Sequence, residues 1–390
     1  MSEAKPVVVY AASGYTGRLV CESLTRLRIP FVAAGRDQRR LDEVAREMRA
    51  KGADCVARAT AHTPAGLREC FRGAKVVINV SGPFSLLGRA VVEAALVDGC
   101  HYVDSTGEQD FMLELRRDYD ALFREARLLL SPSAAFLWAP GAAAAEHCLE
   151  TTPGIDTLDV VYAPPSLQTV ASLQSMIRTV RRTSYWIADG ALRVVPVPDV
   201  KRVTLPGEVA HKALRIGGGE ATFLLGDRRV RSCSTWFASD DLARAAGFFG
   251  LWGKLSRVVP GETLDRWSDA AVLRLKRDPP AEKPETGRFV ITVTARGPSR
   301  RVNATLEGTS PYVVTGFLCA MAAQSVIDGK AERFGYCSIS QAFGARYVLT
   351  RLEHEGTTMT IHGAGPGPTR PAGAGSRDAA KQSGGAHAHR

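Results

Sequence analysis

The apolar run Val7 to Ala11 gives way to a small-residue turn and then, after Gly17, to Leu19, Val20, Leu24 and Leu27 at helical spacing. Strand, turn and helix in this order put backbone N–H groups at a helix N-terminus, where a dinucleotide pyrophosphate binds if no side chain intervenes. The stretch Ala12-Ser13-Gly14-Tyr15-Thr16-Gly17 is therefore assigned to cofactor binding, with Gly14 and Gly17 where backbone and phosphate approach. Ala11 stands where a glycine would make the tight turn, so this reading requires its φ to stay negative.

The pattern that follows repeats the theme. Phe31 to Ala34 is a second apolar run, followed by a helix with Leu41, Val44, Ala45 and Met48 on one face. Val76 to Val80 is a third, followed by a helix from about Ser85 to Val97. A strand at His101–Val103, a helix from about Glu108 to Ala126 and a strand at Leu128–Leu130 complete the series. Strands apolar on both faces alternating with helices imply a parallel sheet covered on both sides, an α/β Rossmann-type domain assigned to residues 1–134.

The second strand ends at Ala34-Gly35-Arg36-Asp37. A carboxylate there would bond the ribose 2′-OH of NAD, whereas a guanidinium would pair with the 2′-phosphate of NADP. Arg36 comes first, and Asp37 is placed to cap the next helix, which favours NADP(H). Ligands in such sheets lie over the carboxyl ends of the strands, so Ser81-Gly82-Pro83 passes close to the nicotinamide or its ribose. Tyr102, Asp104 and Glu108 at the next strand end are the candidate catalytic residues, since a hydride acceptor needs a proton donor nearby. Alternation sends His101 and Tyr102 to opposite faces, so the strand itself aims at most one of them at the site. Asp104 and Thr106 equally suit capping of the following helix.

These residues carry a resemblance. The chain resembles the saccharopine dehydrogenase-like oxidoreductases, in the branch with the bacterial trans-acting enoyl reductases. It does so through Ala12 to Gly17, Gly35-Arg36, Val80-Ser81-Gly82-Pro83-Phe84 with Gly88, and His101 to Glu108, with weaker echoes at Ser310-Pro311-Tyr312 and Gln341-Ala342-Phe343-Gly344. The resemblance implies a Rossmann domain, a mixed α/β second domain and NADP(H)-dependent reduction of a C=N or C=C bond on a small-molecule or acyl substrate. It also exposes a departure: similar proteins have a polar segment after the last Rossmann strand where this chain has Ala135-Phe136-Leu137-Trp138-Ala139-Pro140-Gly141-Ala142. Either the pocket takes a more apolar substrate, or the protein is a non-catalytic dinucleotide-binding relative.

From about Thr151 strand-like stretches at Thr157–Tyr162, Ala191–Val197, Phe289–Ala295 and Arg301–Glu307 alternate with helical ones, giving an α+β substrate and dimerisation domain over residues 135–363. Phe248 to Lys254, rich in aromatics, fits core packing or a homodimer contact better than a substrate channel or peripheral membrane contact. Asp278 to Thr286 reads as an exposed loop, and residues 364–390, rich in Gly, Pro and Ala, read as a disordered tail. The net charge of +10 is spread among acids rather than gathered in one block, which argues against nucleic acid. The eight cysteines show no metal-ligand spacing and suit reduced, buried thiols. With neither an apolar leader nor an uncharged run of spanning length, a cytoplasmic protein is expected.

Overall fold

Three valines and a tyrosine in a row, Val7–Tyr10, are all buried, as a central parallel strand demands. A computed structural model of the chain describes residues 5–165, 182–196, 199–207, 209–239 and 287–365. The first strand, β1 (Val7–Tyr10), leads through the small-residue turn to α1 (Tyr15–Arg26), then β2 (Phe31–Gly35), α2 (Gln38–Ala50), β3 (Cys55–Ala59), α3 (Pro64–Phe71), β4 (Val76–Asn79) and α4 (Phe84–Val97). After these come β5 (His101–Asp104), α5 (Gln109–Glu125), β6 (Leu129–Ser131) and α6 (Ala139–Thr151).

These strands form one parallel sheet in the order β3-β2-β1-β4-β5-β6, extended past β6 by a late strand at Gly335–Tyr336. Order reverses between β1 and β4, and the crevice over their carboxyl ends is where such a sheet binds its ligand. β3 escapes the sequence reading: it lies at the edge of the sheet, only Cys55 of its five residues is buried, and so its apolar signature is short.

The rest of the chain builds a second sheet. Its strands are β7 (Thr157–Ala163), β8 (Tyr185–Ala188), β9 (Ala191–Val194), β10 (Val200–Leu205), β11 (Val209–Ile216), β12 (Ser232–Ala238), β13 (Arg288–Arg296) and β14 (Arg301–Thr309). A short helix α7 (Gly219–Phe223) separates β11 from β12, and the long apolar α8 (Pro311–Ile327) follows β14. Then come β15 (Gly335–Tyr336), α9 (Ile339–Phe343), α10 (Ala345–His354) and β16 (Thr358–Gly365), the last of which pairs with β14. Pairing in the second sheet is antiparallel except between β12 and β7. The chain thus crosses twice, since α8 returns to pack on α1 and β15 joins the first sheet. The main apolar core runs through both halves. All eight cysteines are buried and unpaired within it. β16 reaches Gly365, paired with Arg301, so regular structure extends two residues past 363; residues 366–390 lie outside the described residues, as do Phe248 to Lys254 and Asp278 to Thr286.

One local expectation fails. Ala11 has φ +69°, in the left-handed region, where a Cβ is strained by about 1–2 kcal/mol. The turn needs this conformation to swing Gly14 N–H onto the Ala11 carbonyl at 3.1 Å. Ala11→Gly is accordingly expected to stabilise the protein by roughly 0.5–1 kcal/mol, after allowing for the freer unfolded chain. Thermal or urea unfolding checks this, and a loss of stability would show that the turn carries no strain.

Candidate functional site

The N-terminus of α1 has the features that suit an anion. Gly14 is its N-cap, no side chain caps it, and its first turn carries no acidic residue. The first-turn N–H groups of a helix have no partner inside it, and the dipole favours negative charge there. The two glycines serve different ends. A Cβ on Gly17 would lie 2.5 Å from the Ala11 carbonyl oxygen and 2.7 Å from Ala12 Cα, so Gly17 lets α1 pack on the turn. A Cβ on Gly14 would meet only the Ala11 oxygen, at 3.5 Å, which is ordinary contact. Nothing among the described residues needs Gly14 bare, and its open face fits a pyrophosphate. Tyr15 packs edge-on against Tyr312 at 5.4 Å, which brings the start of α8, and with it the Ser310-Pro311-Tyr312 stretch, beside the turn.

At the ends of β2 and β3 the residues fit a 2′-phosphate. Asp37 caps α2, its carboxylate accepting from Arg40 N–H at 3.1 Å. Arg36 stays exposed, with its charge felt by both Tyr10 and His62. The Tyr10 hydroxyl and His62 Nδ1 lie 2.8 Å apart, and burial, then the Arg36 guanidinium, hold His62 below its ordinary pKa. Arg40, which sequence reasoning missed, donates to the Ser13 carbonyl at 3.2 Å and so bridges α2 to the phosphate turn. Its signal was there to read: one helical turn past the capping Asp37, a side chain points back toward the helix start.

At the ends of β4 and β5 the structure brings the other named residues into one buried network. Asp104 is fully buried; one carboxylate oxygen accepts the N–H groups of Thr106 and Ser133 at 2.9 and 2.8 Å, and the other accepts the Tyr102 hydroxyl at 2.9 Å. Burial pushes the Asp104 carboxyl up to about 7. The Tyr102 oxygen in turn accepts from Asn79 Nδ2 at 2.9 Å, and Asn79 Oδ1 takes both the N–H and the hydroxyl of Ser81, at 3.0 and 2.6 Å. Asn79 was hidden in the apolar run of β4. Glu108 turns the other way. Its two oxygens accept the N–H groups of Phe84 and Ser85, each at 3.0 Å, capping α4 just after Gly82-Pro83. His101 leaves the site altogether, its Nδ1 accepting from Leu129 N–H at 2.9 Å.

The altered segment after β6 is used mainly for packing. Phe136 lies against Phe289 and Tyr162 with ring centres 4.8 and 5.8 Å away, and Trp138 lies 5.2 Å from Tyr162. Tyr162 donates to Glu220 at 2.6 Å, and Thr235 donates to the other Glu220 oxygen at 2.9 Å. Burial raises Glu220 to about 7. Only Leu137 of the segment's large apolar residues stays partly exposed, beside Gly107, while Leu86 in the first turn of α4 is 63% exposed. Gln109, at the start of α5, ties the two halves together, donating to the Tyr185 and Gly218 carbonyls and accepting from Tyr185 N–H.

Comparison with known proteins agrees with this anatomy. Residues 7–126 match the saccharopine dehydrogenase NADP binding domain, and residues 139–361, more than half of the chain, match the Family of unknown function (DUF5938). A Caenorhabditis elegans lipid droplet localized protein is 37% identical over 128 residues, 30% of each chain. Saccharopine dehydrogenase-like oxidoreductases of Rattus norvegicus and Arabidopsis thaliana, the latter named as mitochondrial, are each 30% identical, covering 35% and 33% of this chain and 35% and 31% of theirs. A Mycobacterium tuberculosis protein named as a trans-acting enoyl reductase is 32% identical over 31% of this chain and 29% of its own. Each match spans about a third of the relative's length. Among solved structures, apo saccharopine dehydrogenase (L-Glu forming) of Saccharomyces cerevisiae shares the fold, with a TM-score of 0.62 at 13% identity over 92% of this chain and 99% of that one. The resemblance read from the motifs and the NADP(H) assignment both hold. The cytoplasmic expectation does not: these relatives are named for lipid droplets and mitochondria. It rested on the lack of an apolar span, and although no helix among the described residues is long and apolar enough to cross a membrane, surface attachment and organelle residence need none.

Proposed function

The chain belongs to the family of unknown function DUF5938 and carries a saccharopine dehydrogenase NADP binding domain, and from that premise we propose that it is an NADPH-dependent reductase of a C=C or C=N bond. The observation that carries this reading is the uncapped α1 N-terminus with a bare Gly14, accompanied by two arginines, Arg36 and Arg40, just beyond the end of β2. The cofactor supplies a hydride when bound. The chain's own residues do the rest. Backbone N–H groups after Gly14 hold the pyrophosphate, Arg36 and Arg40 pair with the 2′-phosphate, and Ser81, Gly82 and Pro83 face the nicotinamide half. The exposed Leu86 and the half-buried Leu137 favour an apolar substrate, small or acyl, over a polar amino acid.

Tyr102, Asp104 and Glu108 are all engaged inside the protein, and we assign them to shaping the strand ends rather than to proton transfer. That same observation favours a second reading, a non-catalytic dinucleotide-binding protein. NADPH consumption against a panel of enoyl thioesters and imines separates the two. Turnover on any member supports the reductase, and tight NADPH binding with none supports the second reading.

Cofactor choice gives a sharper test. Arg36→Ala and Arg40→Ala each remove a charge-assisted contact to the 2′-phosphate and are expected to weaken NADPH binding roughly ten- to a hundredfold, with NADH nearly unchanged. Equal wild-type affinity for the two cofactors would defeat both assignments.

A further inference from the structure

With Asp104 ionised, the hydrogen bonds from Asp104 to Ser81 run in one direction. An ionised carboxylate only accepts, so the Tyr102 proton points at Asp104 and the Tyr102 oxygen must accept from Asn79 Nδ2. That leaves Asn79 Oδ1 toward Ser81, where it takes the backbone N–H and the hydroxyl proton together. Asn79, Tyr102 and Asp104 are fully buried and Ser81 is 8% exposed, so none of them can trade these partners freely for water. The Ser81 proton is committed inward. Any further bond its oxygen makes is one it accepts.

We propose that Asp104 is a positioning residue that, through Tyr102 and Asn79, fixes the Ser81 hydroxyl as a hydrogen-bond acceptor for the nicotinamide half of the dinucleotide. The inference rests on the cofactor reading above. It follows from the sheet: the adenosine end is assigned to β2 and β3, and Ser81 follows β4 across the reversal point from them. The donors available in that half of the ligand are ribose hydroxyls and the carboxamide NH2.

Asp104→Asn would place an NH2 against the Tyr102 oxygen, which already accepts from Asn79. Either the Tyr102 proton loses its acceptor or Asn79 turns over and presents its own NH2 to Ser81. The exchanged pair N79D/D104N satisfies every group again. The amide introduced on β5 would donate to the Tyr102 oxygen, and the carboxylate introduced on β4 would accept from both the Tyr102 and the Ser81 hydroxyls. The pair keeps the same charge and the same atoms, with the direction at Ser81 restored.

The test titrates NADPH and 2′,5′-ADP, which lacks the nicotinamide half, into folded wild type, S81A, D104N, N79D/D104N and S81A/D104N. We expect S81A and D104N to weaken NADPH about tenfold and to leave 2′,5′-ADP within twofold, the exchanged pair to return to wild type, and S81A/D104N to match S81A. A pH series adds a readout that a merely structural role would not move. Burial raises the Asp104 carboxyl to about 7, with Tyr102, Glu108, Cys319 and Tyr336 as the titratable groups around it. The ratio of NADPH to 2′,5′-ADP affinity should fall below pH 7 in wild type and stay flat in S81A, the 2′-phosphate being common to both ligands. Should D104N fail to fold, S81A and the exchanged pair still decide. NADPH affinity unchanged in S81A, or lost equally with 2′,5′-ADP, would overturn the inference alone, whereas a wild type that binds neither ligand would overturn the cofactor reading and this inference with it.

Discussion

Gly14→Val is expected to fold as the wild type does and to lose NADPH binding by more than about a hundredfold. The separation of the two effects follows from the turn. A Cβ at Gly14 touches only the Ala11 carbonyl oxygen, at 3.5 Å, so the branched side chain would occupy the space to which the proposed reading assigns the pyrophosphate. Gly17→Ala should do the reverse. Its Cβ would lie 2.5 Å from the Ala11 oxygen and 2.7 Å from Ala12 Cα, both backbone atoms, so α1 must shift at a cost of roughly 1–3 kcal/mol or more. Unfolding curves and NADPH fluorescence titrations on both variants make the comparison. A folded Gly14→Val protein with near-normal NADPH affinity would remove the basis of the cofactor site.

Stability is expected to fall as pH rises from 5.5 to 8, opposite to the usual behaviour of carboxylates. Asp104, Glu146 and Glu220 are each raised by burial to about 7. Between their unfolded values near 4 and that point the folded state binds more protons than the unfolded one, so unfolding free energy decreases with pH. His101 and His62 oppose this. Burial lowers His101 to about 4 and, with the Arg36 guanidinium, holds His62 below its ordinary value, and the contribution of each is lost as pH falls below the unfolded value of about 6.5. Three groups against two leave a net loss of several kcal/mol between pH 5.5 and 8, or roughly 5 °C or more in Tm. Carboxylates held low by arginines, such as Asp227 beside Arg229, change only at more acid pH and do not enter. A Tm that is flat or rises over this range would show that these three side chains are solvated in solution.

The parts of the fold that were legible from the sequence are those in which one residue type answers one local demand. Small residues at the α1 turn, Asp37 as a helix cap and the doubly apolar strands all read directly. What escaped depends on partners far along the chain. Strand β10 carries Lys201 and Arg202, and β11 carries His211, Lys212 and Arg215, among their apolar residues, and pairing with β12 gives them a shape that no local pattern announces. The segment with Phe136 and Trp138 in place of polar residues left open an apolar pocket or a non-catalytic relative, and the burial of both against Phe289 and Tyr162, brought by the second sheet, was not legible in it. Asn79 is a single polar residue in a strand, and its importance rests on Tyr102, a neighbour only once β4 and β5 pair.

The Glu108 cap has a consequence for how a ligand is threaded. Of the helices that begin at the carboxyl edge of this sheet, α1 and α4 follow the two strands on either side of the reversal point, and a helix N-terminus there attracts a phosphate. At α4 that attraction is already satisfied from within, because the Glu108 carboxylate sits on the Phe84 and Ser85 N–H groups where a foreign anion would land. On the proposed cofactor reading, a molecule with several phosphates is therefore turned away from α4 by the protein's own charge, and the sorting of its two ends begins before any base or ring is touched.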